Sequence, residues 1–70
     1  MAGIVRVAEP GGRSLIVLVD WVGFEVEERT WEPFENIFEA APEFLKKDLR
    51  KVRVTRSIAA QITHEFGIQL

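Results

Sequence analysis

Cysteine is absent from the chain, which excludes a disulfide framework and any thiolate metal site. Histidine occurs once, at His64, and no carboxylate pair is spaced to complete a metal site with it. Neither a metal nor a cofactor is therefore expected. No apolar run approaches ~18 residues, so no segment is expected to span a membrane. The N-terminus lacks a basic region followed by a long apolar stretch, so no signal peptide is expected. Together with the missing cysteine, this fits an intracellular setting. Internal repeats and low-complexity tracts are also missing. There is no nucleophile beside a base and no phosphate loop, so nothing points to catalysis.

What remains is the composition of a folded binding module. The hydrophobic fraction is 47%, which argues against disorder. A chain of this length makes one small domain. It buries only about 60% of its unfolded surface, so its stability is marginal. The net charge of −2 hides an asymmetry. Between Asp20 and Glu43 there are eight acidic residues and one basic residue, Arg29. Between Lys46 and Arg56 there are six basic residues and one acidic residue, Asp48. An acidic middle followed by a basic C-terminal third says more about partners than the net charge does.

Residues 4 to 8, IVRVA, are short and β-branched and read as a strand. Glu9-Pro10-Gly11-Gly12-Arg13 is turn chemistry, with Pro setting φ and Gly supplying φ > 0. Residues 14 to 22, SLIVLVDWV, form the strongest strand pattern. Leu15, Val17, Val19 and Trp21 share one face; Ile16, Leu18 and Val22 share the other with Asp20. Both faces are mostly apolar, which predicts a central strand covered on two sides. The two strands make a hairpin. Gly23 ends the second strand, Glu25 to Glu28 form an acidic loop, and Arg29 to Glu32 form a third strand stopped by Pro33. Residues 34 to 41 are expected to turn once as a helix. Pro42 suits the first position of a helix. Glu43 early and Lys46, Lys47, Arg50 and Lys51 late suit its dipole. Leu45, Asp48, Leu49 and Val52 follow helical spacing on the face toward the sheet. A further helix is expected from about Thr55, as N-cap, to Phe66, with Gly67 as its stop. A three-stranded sheet followed by helices is a small α+β domain.

The stretch WVGFEVEERTWEP, residues 21 to 33, interleaves rings with carboxylates. Trp21 reads either as the end of a buried face or as a ring facing a ligand. Phe24 follows a glycine in a loop, where a large ring is less easily buried. The acidic run Glu25, Glu27, Glu28 is, taken alone, a solvated loop; beside two rings it would steer a basic peptide. The basic run reads as the solvated face of a helix, with nucleic-acid contact through Lys46, Lys47, Arg50 and Lys51 as the alternative. No aromatic interleaves those residues for stacking on bases.

The order of these pieces resembles the chromodomain. The family pattern is roughly an apolar strand into W-K-G-[YF], several acidic residues, N-T-W-E-P, E-N-L and a helix. Here it reads LIVLVDWVGF, EVEE, RTWEP, FENI and APEFLKKDL, over about residues 4 to 52. The resemblance implies a curved, SH3-like, three-stranded antiparallel sheet packed by a C-terminal helix, over residues 1–54. Residues 55–70 would be an extra helical extension. It also implies a nuclear, chromatin-binding role, in which a histone tail adds as a strand and a methylated lysine enters an aromatic cage. Ring faces attract such a cation, and the tail pairs by strand addition. The cage positions correspond to Trp21, Phe24 and the acidic Glu28, with Glu25 close by. The third ring normally lies just before the first strand, where this chain has Met1-Ala2-Gly3. Lysine is usual at the sites filled here by Asp20 and Val22. The resemblance makes Trp31 structural, in the core. The incomplete cage is similar to chromodomains that follow the integrase in gypsy-class retrotransposon polyproteins. Ile58, Ile62 and Phe66 on the extension would either cover the same core or, as in the related chromo shadow domains, form a homodimer or partner interface.

Overall fold

A computed structural model describes residues 3–12 and 14–70. Arg13 of the expected turn, and Met1 and Ala2 of the N-terminal arm, lie outside the described residues. The chain folds as β1 (Gly3–Ala8), β2 (Ile16–Asp20), β3 (Thr30–Pro33), α1 (Phe34–Ala40), α2 (Pro42–Leu49) and α3 (Arg56–Phe66). The strands pair antiparallel in the order β1-β2-β3, which agrees with the α+β expectation. No described helix is long and apolar enough to cross a membrane.

The core lies on one face of the sheet. Leu15, Val17 and Val19 alternate into it, as their period of two requires. Phe34 and Ile37 of α1, Leu45 and Leu49 of α2, and Ile62 of α3 meet them from the other side. The opposite face of β2 is only partly shielded and forms no core, contrary to expectation. Ile16 and Leu18 are half-exposed and belong neither to the core nor to the side chains packed against it. The reason is that all three helices pack on one side of a sheet too small to be wrapped.

β1 departs from simple alternation. The register slips between Ile4 and Arg6, and the extra residue of this bulge turns both Ile4 and Val7 inward while Arg6 stays exposed. The strand's first amide is held from outside the sheet: Ile4 N–H donates to Asp48 Oδ2 of α2 at 2.8 Å. This explains an acidic residue on the inward stripe of α2.

Trp31 is not in the core, where it was expected. Leu18 lies opposite Trp31 and Val17 opposite Glu32. Residues directly opposite share a face, so Trp31 stands on the outer side with Leu18 and Arg6 and remains 46% exposed. The aromatic that enters the core is Phe34, whose N–H closes onto the Leu15 carbonyl at 3.0 Å.

The expected single turn after Pro33 is a seven-residue helix, α1. α2 ends at Leu49, so Arg50, Lys51 and Val52, expected on it, lie past its end, whereas α3 begins and ends where its caps predict. Pro42 opens α2. Thr55 Oγ1 accepts the Ile58 N–H at 3.2 Å, and Gly67 ends α3 in the left-handed region at φ 69°. Ile68, just past that cap, is buried in the core. Phe66 packs on Phe34 and Phe38, with ring centroids 4.5 and 5.2 Å apart. Ile62 is fully buried, and Ile58 and Phe66 pack against the same cluster. The apolar stripe of α3 is therefore directed into this chain's own core. Substituting Ile62→Ala should lower the unfolding free energy by about 2–5 kcal/mol, while exposed His64→Ala should change it by less than about 0.5 kcal/mol. Urea midpoints measure both; equal effects would mean that α3 is no part of the core.

Candidate functional site

The rings at residues 21 and 24 are brought together by one turn. Phe24 N–H donates to the Trp21 carbonyl at 3.1 Å, and Gly23 between them has φ 80°. Positive φ at the third position makes this a type II turn, which needs glycine there. The turn ends the inward face of β2 and starts the acidic loop.

Trp21 continues the face of Leu15, Val17 and Val19, so the body of its indole packs against the edge of the core. Its polar tip is tied down. Nε1–H donates to Thr30 Oγ1 at 2.8 Å, and the Thr30 hydroxyl donates in turn to Glu32 Oε2 at 2.8 Å. Thr30 and Glu32 share a strand face, and the charged end of this relay strengthens it. A half-buried tryptophan with its N–H satisfied loses rotational freedom, which holds one ring of a binding surface in place. Sequence reasoning missed Thr30 and Glu32. The readable signal was their spacing of two residues on either side of Trp31.

Beyond Trp21 the loop is open to water. Val22, Phe24 and Val26 are 70%, 58% and 62% exposed. Glu25, Glu27 and Glu28 are exposed too. A short 3-10 turn, Val26–Glu28, stiffens the segment, with Glu28 N–H bonded to the Glu25 carbonyl at 2.9 Å. The base of the loop is closed by Arg29 Nε and Asp20 Oδ1, 3.4 Å apart. That contact pairs the one cation of the acidic stretch with a carboxylate at the end of β2. It leaves Glu25, Glu27 and Glu28 outside any described ion pair.

The structure thus brings Trp21, Phe24, Glu25 and Glu28 to one end of the sheet. Trp21 is fixed and Phe24 stands free; the two rings do not stack, since the described ring contacts are those of Phe66. The surface is open rather than a cavity. Two cavities of about 310 and 380 Å³ lie elsewhere and involve none of these residues. Gly3, the first residue of β1, pairs with Asp20, and Met1 and Ala2 before it are outside the described residues. Lys46 is half-buried on α2 and pairs with Glu43 at 3.8 Å, while Lys47, Arg50 and Lys51 are exposed. Among the described residues no group of three His, Asp or Glu side chains is placed to hold a metal ion.

Replacing Thr30 by Val keeps the shape and removes the acceptor. In a Trp31→Phe background, where Trp21 is the only emitter, the substitution should shift the indole emission to the red. It should also cost about 0.5–1.5 kcal/mol of stability. An unchanged spectrum would show that Thr30 does not hold the ring.

Residues 4–47, more than half of the chain, match the model of the Chromo (CHRromatin Organisation MOdifier) domain. No curated protein and no solved structure matches the chain.

Proposed function

The chain belongs to the chromodomain family, and on that premise we propose that it docks a histone tail and holds a lysine, preferably methylated, against Trp21, Phe24 and Glu28. The family's members are chromatin-associated binding modules rather than enzymes, and this domain is such a module. The finer reading concerns the ligand. A methylated ammonium stays cationic but is weakly hydrated, so ring faces and a nearby carboxylate attract it at little desolvation cost. The observation that carries the reading is the tethered indole: Trp21 is locked by Thr30 at the mouth of a loop whose three glutamates are in no ion pair among the described residues. Glu25 and Glu27 beside Glu28 supply a field that speeds encounter with a basic tail.

Strand addition needs an edge. β1 and β3 are the two edges of the sheet, and Pro33 deprives β3 of one donor. β1 is the better edge, and at its start the tail backbone would compete with Asp48 for the Ile4 N–H. With one ring fixed and the other free, the grip of Trp21 and Phe24 on a cation is shallow. In this reading the module targets its parent protein to nuclear chromatin. A parent of the retrotransposon integrase type suits a two-ring set.

Titrating matched tail peptides, unmodified and trimethylated, tests this. Both head groups are cations, and the methylated one is desolvated at lower cost against the rings, so the methylated peptide should bind more tightly, by at most about 30-fold if the full ring attraction of about 2 kcal/mol is gained only by it. Trp21→Ala should erase that preference. Glu28→Gln should weaken both peptides, and added salt should do the same. Equal binding of the two peptides, unaffected by Trp21→Ala, would leave only charge steering and end the lysine-reader reading.

A further inference from the structure

A groove on the opposite chemical footing lies at the end of α2. It is a cavity of about 380 Å³ whose apolar wall includes Val52, Val54, Ala59 and Leu70, with Arg50 and Arg53 beside them. Both arginines are exposed, and neither is in an ion pair among the described residues. An apolar floor under two guanidinium groups fits a segment that carries a large apolar side chain among carboxylates. This molecule exposes such a segment. In Val22-Gly23-Phe24-Glu25-Val26-Glu27-Glu28, three apolar side chains stand in water at alternate positions with three carboxylates among them. Single exposed apolar residues are ordinary, but a run of this kind marks a contact surface. Within one molecule no described hydrogen bond or ion pair joins this loop to Arg50 or Arg53.

We infer that the domain self-associates head to tail, the 22–28 loop of one copy seating Phe24 in the Val52–Leu70 groove of a second copy, with Glu25, Glu27 and Glu28 facing Arg50 and Arg53. The acidic middle and the basic C-terminal third of the sequence are then two halves of one contact. Each copy keeps an unused half, so the contact propagates into rings or open chains. The surface is small and its charges are exposed, so association is weak and falls with salt.

Sedimentation of the free domain over a concentration series tests this without any peptide, so its outcome is independent of histone binding. The average mass should rise with concentration at low ionic strength and return to that of the monomer at high salt. Two variants separate the halves: a loop variant, Phe24→Ser with Glu27→Lys, and a groove variant, Arg50→Glu with Arg53→Glu. All four positions are exposed, and circular dichroism checks that both variants fold. Each alone should stay monomeric. Their equimolar mixture should form a one-to-one dimer and nothing larger, because only one intact loop can meet one intact groove. A wild type that stays monomeric at low salt overturns the proposal. So does a mixture that fails to pair, or a variant that associates like the wild type. The wild-type salt series needs no substitution, so the proposal remains open to refutation even if a variant misfolds.

Discussion

Val17 and Val19 are wholly withdrawn from water on a strand with neighbours on both sides, and the placement of every other element follows from covering them. A three-stranded sheet of this length cannot close on itself, so its buried face must be roofed by helices. The roof is made in sequence order. Pro33 stops β3, Phe34 drops into the core at once, and α1, α2 and α3 each add one or two fully or nearly buried side chains. Short connections force the helices to the same side, which is why the outer face of the sheet carries no second core layer. A domain this small has no interior to spare: Leu45, Leu49 and Ile62 share one buried cluster with the strand residues, so truncating any one leaves a cavity in it.

The same constraint builds the candidate site. Alternation that carries Val17 and Val19 inward also carries Trp21 inward, but Trp21 lies past the end of the strand, where the roof stops. Its indole is therefore half covered, and its N–H is within reach of Thr30 on the neighbouring strand. Arg29 and Asp20 close the loop at the next rung, so the acidic residues project from a fixed base. Position comes from the sheet, and chemistry comes from the loop.

Much of this was legible in the residues. Alternation in LIVLVDW, Pro42 at the first position of α2, Thr55 and Gly67 at the ends of α3: these are local signals with local causes, and the structure follows them. Three features were not legible because their causes are not local. The bulge in β1 lets Ile4 and Val7 face inward together, and IVRVA gives no sign of it, because a slip of register is decided by the partner strand. Trp31 was expected in the core from the family resemblance, yet its face is set by pairing with Leu18. Asp48 falls on the inward stripe of α2 because it accepts the Ile4 amide, forty-four positions away, which local spacing does not reveal. The loop was readable in composition but not in shape. Nothing in EVEE says that Trp21 would be tied while Phe24 stays free.

The charge pattern has a consequence for how the loop is used. The described side-chain ion pairs are Arg29–Asp20 and Lys46–Glu43, so most of the acidic middle and the basic end are not neutralised within the molecule. Charges that do not pair internally remain available for a partner, and within about 8–10 Å at physiological salt they are felt before contact. Both proposed partners of the 22–28 loop, a basic tail and the arginine-lined groove of another copy, are cationic surfaces that need the same Phe24 and the same glutamates. They cannot occupy it together. Mass action then decides between them: a tail present in excess strips copies apart, and copies crowded together shield the loop from tails. If both contacts exist, tail binding and self-association must be linked with opposite sign, and each weakens the other by the same factor.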